Sequence, residues 1–282
     1  MAQTLAGLAT LCAQQGENAE AERLYQRALH ILEQVLGPEH RDTAGTIDGL
    51  AAIYADQGKY VEAEALYQRA LAISEQALGP DHANKSGLLN NLANLYWDQG
   101  KYEQAEVLYQ RVLAIGERVR GPEHPDTVRT LSNLAGVYAD QGKYEQAELL
   151  YRRVLAIRER VRGLEHSDTA TILNSLAVLY ADQGKYEQAE PLYQRALHIW
   201  EQQAGTERSS LAYPLNNLAE LYTLQGKHVE ATALYQRALS IWEQTLGLQH
   251  PHTAETMHGL AQLGETQGKS EEARAWHYSC TL

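Results

Sequence analysis

Asparagines recur along this 282-residue chain at places where their side chains could hold a ligand. One column, spaced by 42 residues, reads Gly49, Asn91, Asn133, Ser175, Asn217 and Gly259. The column one residue earlier reads Asp48, Asn90, Ser132, Asn174, Asn216 and His258. A third, four residues before the first, holds Gly45, Gly87, Arg129, Thr171, Tyr213 and Glu255, and Asn94 and Glu220 stand three residues after Asn91 and Asn217. An asparagine amide both donates and accepts, so a ladder of amides can pair with the N–H and C=O groups of an extended chain whatever its sequence. The same amides can instead cap or bridge neighbouring helices, since half-buried amides commonly serve packing networks.

Histidine forms a column too, at 40, 82, 124, 166 and 250, which invites a metal. Successive copies would stand a helix layer apart, about 8–10 Å, whereas the ligands of one zinc lie within about 2.1 Å of it. A linker hydrogen bond is therefore the expected role. His250, His252 and His258 fall closer together, but no cysteine or well-spaced carboxylate completes a set. Residues 264–270, GETQGKS, imitate a phosphate loop with three residues between the glycines where four are needed. Conspicuous acids have copies: Glu145 and Glu148 are matched by Glu187 and Glu190 and by Glu103 and Glu106. A catalytic site is normally unique, so no enzymatic activity and no cofactor is expected.

The elements that position these residues follow from two glycine series. Gly16, Gly58, Gly100, Gly142, Gly184, Gly226 and Gly268 keep a spacing of 42, as do Gly37, Gly79, Gly121, Gly163, Gly205 and Gly247. Each unit thus has two fixed turns. In the unit 126–167, Val128, Leu131, Leu134, Ala135, Val137 and Tyr138 follow a three-and-four spacing and predict a helix running to about Gln141. Asp126 and its copies Asp42, Asn84, Asp168, Ser210 and His252 stand where an N-cap is expected. Gly142 ends that helix, and a second, longer one opens at Lys143-Tyr144 and ends at Gly163. Its expected buried stripe is Tyr144, Ala147, Leu150, Tyr151, Val154, Leu155 and Val161. Trp200 and Trp242 share one register of the second helices, where the other copies are Leu32, Ser74, Gly116 and Arg158; packing is their expected use.

Hydrophobic residues make up 44% and charged residues 21% of the chain, an ordinary folded composition. The net charge of −12 opposes attraction to phosphate, so neither nucleic acid nor an anionic membrane is expected as partner. No apolar run approaches the roughly 20 residues of a membrane span, and the N-terminus lacks a signal peptide pattern, which points to the cytoplasm. Cys12 and Cys280 lie in the first and last units, too far apart for a disulfide.

The set Asn133-Leu134-Ala135, Tyr138, Gly142, Tyr144, Ala147, Tyr151 and Val154 resembles the tetratricopeptide repeat. That family has a usual period of 34; the 42 here, with a Gly-x-x-His-Pro-Asp-Thr linker at Gly121–Thr127, is similar to the repeats of kinesin light chains. The resemblance covers the whole chain. It implies an all-α, right-handed α-solenoid of about seven helix-turn-helix repeats and fourteen helices. The array is expected to be a single domain, 1–282, with repeats at 1–41, 42–83, 84–125, 126–167, 168–209, 210–251 and 252–282. It also implies that an extended partner segment lies in a concave groove lined by first helices, with Asn91, Asn94, Asn133, Asn174, Asn216 and Asn217 as clamp residues. Arg129 and Tyr213 are the cation and the aromatic placed in that wall, candidates for reading a side chain or a terminus. Asp56, Asp98, Asp140 and Asp182, before each Gln-Gly, stand where the family is expected to be more basic, which argues against an acidic ligand.

No residue of capping type precedes the expected first helix and the sequence ends within the expected last second helix, so the array is expected to be part of, or to continue into, something larger. Three functions are compatible with this pattern: a peptide-binding adaptor, a sensor or regulatory arm of a larger bacterial signalling NTPase or similar protein, and a structural array that self-associates through uncapped ends.

Overall fold

The computed structural model describes residues 1–78, 85–203 and 211–268. Among them are thirteen α-helices and no strand. Those of the first four repeats are α1 (Ala2–Gln14), α2 (Asn18–Val35), α3 (Arg41–Asp56), α4 (Tyr60–Leu78), α5 (Ser86–Asp98), α6 (Tyr102–Val119), α7 (Pro125–Asp140) and α8 (Tyr144–Arg162). They continue with α9 (Ser167–Asp182), α10 (Tyr186–Gln203), α11 (Ala212–Leu224), α12 (His228–Thr245) and α13 (Pro251–Thr266). The second helix of the seventh repeat, and the expectations placed on Gly79, His82, Asn84, Gly205, Ser210 and Cys280, lie outside the described residues.

Contacts divide the chain into two compact units, Met1–Lys143 and Tyr144–Leu282. In the first, α1 pairs with α2, α3 with α4 and α5 with α6, while α2–α3, α4–α5 and α6–α7 join one repeat to the next. First helices also touch directly, α1 on α3 and α3 on α5. The second unit repeats the scheme, with α9 on α10, α11 on α12, and the first helices α9, α11 and α13 in sequence. Both glycines of the type unit adopt positive φ, 71° at Gly142 and 101° at Gly163, a region that costs a residue with a Cβ roughly 1–2 kcal/mol. Each turn can therefore reverse the chain within a few residues.

The helix starts correct the sequence expectation. His40, His124, His166 and His250 are the N-caps, each accepting on Nδ1 from the backbone N–H two residues on, at 3.1–3.3 Å. Asp42, Asp126, Asp168 and His252 sit inside the first turn instead. Pro125 and Pro251 hold the first helical position, and their fixed φ sets the preceding histidine outside the helix with its ring turned back. A carboxylate in the first turn faces the positive end of the helix dipole. His124→Ala is expected to cost about 1 kcal/mol, the usual worth of a cap; a lowered urea midpoint at unchanged folded helicity would show it.

The second-helix stripe is also adjusted. In α8 the buried residues are Ala147, Tyr151, Val154 and Ile157, whereas Val161, in the last turn, is 55% exposed. Ala21, Ala63, Ala105, Ala147, Ala189 and Ala231 are all fully buried, one per repeat, which lets helix backbones close to packing distance. Trp242 is buried at 4% exposure, and Trp200 packs on Ala170, Leu173, Ala196 and Ile199, so both indoles serve packing.

A polar joint is repeated between layers. Lys59, Lys101, Lys143 and Lys227, just after the first-helix turn, reach Glu22, Glu64, Glu106 and Glu190 of the preceding repeat at 3.3, 3.0, 2.6 and 2.7 Å. Each ammonium also lies 4.8–5.5 Å from the centroid of a first-helix tyrosine, at Tyr54, Tyr96, Tyr138 and Tyr222. Gln57 and Lys59 hold the Glu22 carboxyl below its ordinary range, and Lys227 and Gln225 do the same for Glu190. Partly exposed pairs of this kind contribute about 0–1 kcal/mol each. Their effect is to fix register rather than to supply most of the stability.

Candidate functional site

The asparagine columns lie along the first helices, where Asn90 is buried and the other asparagines are half-buried. Asn91 Nδ2, on α5, donates to Asp48 Oδ1 on α3 at 2.9 Å. Asn133 Nδ2, on α7, donates to Asn94 Oδ1 on α5 at 3.4 Å, and the same oxygen accepts from the Tyr109 hydroxyl. In the second unit Asn217 Nδ2 donates to Asn174 Oδ1 at 3.4 Å, and Asn216 Oδ1 accepts from the Thr256 hydroxyl at 3.0 Å. All six amides are thus drawn into bridges between consecutive first helices. A primary amide has two donors and two acceptor sites, and each bridge occupies part of that capacity.

Where the column holds glycine, a tyrosine from the second helix fills the space. A Cβ on Gly49 would meet the Tyr25 ring at 2.5 Å, and one on Gly259 would meet Tyr235 at 2.8 Å. Tyr25 and Tyr109 in the first unit and Tyr235 in the second, members of the 42-residue column 25, 67, 109, 151, 193 and 235, are therefore part of their own unit's wall. Sequence reasoning took Tyr151 only as core; the signal for the rest was the 42-residue recurrence of a residue with a polar tip.

Arg129 and Tyr213 are engaged within the chain. The Arg129 guanidinium binds Asp126 Oδ1 at 3.0 Å, with 62% of the side chain exposed. The Tyr213 ring packs edge-on against Trp242, centroids 4.8 Å apart, and its hydroxyl bonds His252 Nε2. Trp97 Nε1 donates to Asp140 Oδ2 at 2.6 Å.

Carboxylates give the wall its electrostatic character. Burial pushes the Asp48 carboxyl above its ordinary range against the Asn91 bond. Asp98 is raised by burial and by Asp56, and in the second unit Glu220 is raised by burial, Glu255 and Asp182. The phenols beside them follow. Burial first, then nearby carboxylates, raise Tyr67 and Tyr193, and Tyr235 is pushed up to about 12 by burial, with Glu220 and Glu255 adding to the shift. A wall that destabilises its own anions is one where positive charge or N–H donors are favoured. Among the described residues no group of three histidines, cysteines or acids could hold a metal ion, and no helix is long and apolar enough to cross a membrane.

Helical hairpins stacked through such joints, with acids and half-buried amides along the first helices, define an α-solenoid suited to protein interaction. The chain belongs to the tetratricopeptide repeat family, whose profiles match residues 1–42 and, in overlapping segments, 42–281. No curated protein matches it significantly. Among solved structures it is similar to BtubC (BKLC) from P. vanneervenii, at 26% identity and TM-score 0.67, covering 84% of this chain and 93% of that one. It is also similar to a putative kinesin light chain with nearly identical TPR-like repeats from Podosopora anserina, at 25% identity and TM-score 0.60, covering 72% and 96%. The fold is shared with a signal transduction ATPase (STAND) protein from Pyrococcus horikoshii that has a tetratricopeptide repeat sensor, at 15% identity and TM-score 0.75, covering 98% of this chain and 41% of that one.

Proposed function

We propose that the chain is a non-catalytic scaffold that holds an extended segment of a partner protein along its first-helix wall, with the asparagine amides gripping the segment's backbone. The carrying observation is the row of half-buried amides, each with hydrogen-bond capacity beyond its bridge to the next helix. Backbone pairing tolerates many sequences, and the raised carboxylates Asp48, Asp98 and Glu220 bias the choice towards lysine- or arginine-bearing segments.

An array of extended peptides, basic and acidic, probed with the wild type and with an Asn91→Ala, Asn133→Ala, Asn217→Ala variant of checked helicity tests this reading. Basic peptides are expected to bind the wild type and to lose on the order of tenfold or more in affinity on the variant, from three lost bonds. Equal binding by both proteins would overturn the clamp. The pH dependence has a definite sign. A cationic segment binds the ionised carboxylates, so affinity is full above their raised pKa values and falls as pH drops through them.

A further inference from the structure

The joint between the third and fourth repeats departs from its copies at one point. A cavity of about 130 Å³ opens there among α5, α6 and α7, lined in part by Gly87, Asn90, Gly116, Thr127 and the arginines 120 and 129. Adding 126 residues, three periods, to Gly87, Gly116 and Asp126 gives Tyr213, Trp242 and His252. In that later joint the phenol lies edge-on to the indole, and the indole stacks on the imidazole at 5.3 Å and 27°. The sixth and seventh repeats thus set their own aromatic rings, with Tyr213 half-exposed, at a place that Gly87 leaves open in the third, while a Cβ at Gly116 would meet the Thr127 hydroxyl at 2.9 Å.

Two register hydrogen bonds are missing at the same spot. Thr43, Thr169 and Thr253 donate through Oγ1 to the carbonyls of Gly37, Gly163 and Gly247, at 3.2, 2.8 and 2.8 Å. Thr127, 2% exposed, has no partner for its hydroxyl. Asp48, Asn174 and Asn216 each accept from the next first helix through Oδ1, but Asn90 Oδ1, in the same column and 9% exposed, has none. Unpaired buried polar atoms are uncommon and costly, and both of these belong to side chains that line the cavity.

We propose that this cavity is a pocket for one phenolic ring, supplied by a tyrosine of a bound segment; only the source of the ring rests on the scaffold reading above. At about 130 Å³ the cavity is somewhat smaller than the roughly 150 Å³ that encloses a benzene ring, and because it is partly open the rest of a phenol can extend beyond it. In the later joint the chain's own phenol stands at the equivalent place with its hydroxyl on His252, the counterpart of Asp126, because Asn216 and Thr253 already have partners. A phenolic hydroxyl donates and accepts, so a small turn of the Asn90 amide or the Thr127 hydroxyl satisfies both orphaned oxygens. Arg120 and Arg129, tethered to Asp126 at 2.7 and 3.0 Å, bring guanidinium groups able to lie against a ring.

Titration of the full chain with p-cresol, followed by NMR and compared with toluene, reads the pocket directly. Saturable p-cresol binding at millimolar concentration is expected, preferred over toluene by about tenfold, the worth of one well-made hydrogen bond. Asn90→Leu should remove that preference. Gly87→Tyr should abolish binding while helicity is kept, because a Cβ at Gly87 meets nothing within 4 Å and the new ring restores the later joint's filling. No saturable binding by the wild type, or undiminished binding by Gly87→Tyr, overturns the pocket. Absence of p-cresol binding by the wild type with basic-peptide capture intact would count against the pocket alone, and the reverse against the scaffold reading alone.

Discussion

Tyr109→Ala will lower the stability of the first unit by about 3–5 kcal/mol, the range for deleting a buried aromatic side chain. Tyr109 is fully buried, its ring stands edge-on to Trp97 with centroids 6.3 Å apart, and its hydroxyl is spent on Asn94. Truncation removes the ring's transfer energy, opens a void among helices that are already held by neighbouring alanines, and removes the edge-on ring contact of Trp97. Because repeats communicate chiefly through nearest-neighbour interfaces, the loss should concentrate at the third repeat and its joints. Hydrogen exchange during urea unfolding would show it as early opening of α5 and α6. Uniform protection across the unit, or a loss below about 1 kcal/mol, would mean that the void collapses, as some core sites do.

Asn94→Ala is the second large effect, expected at about 1–3 kcal/mol, the cost of leaving a buried polar group unmade. Its Oδ1 accepts from both Tyr109 and Asn133, so one truncation orphans two donors on two other helices. Tyr109→Phe in the Asn94→Ala background should recover part of the loss, because it removes the orphaned hydroxyl. A coupling energy of at least about 0.5 kcal/mol in the double-mutant cycle is the measurement that checks it. Additive losses would show that the two side chains act independently. The same variant bears on ligand binding, since Asn94 spends its oxygen internally whereas Asn91 and Asn217 each donate only one N–H to the neighbouring helix.

The period and the hairpin could be read from the glycine series, because a residue that must adopt positive φ marks its turn wherever the turn recurs, and the family from the set around Ala135, Tyr138, Ala147 and Tyr151. Cap positions could not. The rule that ranks aspartate and asparagine as caps gives histidine no special place, and only the linker conformation brings its Nδ1 over the second amide. Val161 shows a different limit. It shares the phase of Ile157 and Val154, but periodicity gives the buried face and not where the covering layer stops. The asparagine columns were visible, as was the choice between ligand and bridge. Which amide meets which depends on rotamers and on the offset between neighbouring helices, so Asn133 reaching Asn94 rather than Asn90 was beyond the pattern. The cavity needed both kinds of information: register to align Gly87 and Gly116 with Tyr213 and Trp242, and geometry to show that the glycines face one space.

The lysine, glutamate and tyrosine shared by four of the layer joints carry a consequence for how such a protein changes length. Lys101 meets Glu64 as Lys143 meets Glu106 and Lys227 meets Glu190, so one repeat's front matches another's back. Unequal recombination between DNA segments encoding these similar joints would remove or insert 42 residues in frame and bring together surfaces that already fit. A lineage could thus shorten or extend its array in a single genetic event, without a round of compensating substitutions, and gain or lose a stretch of wall each time.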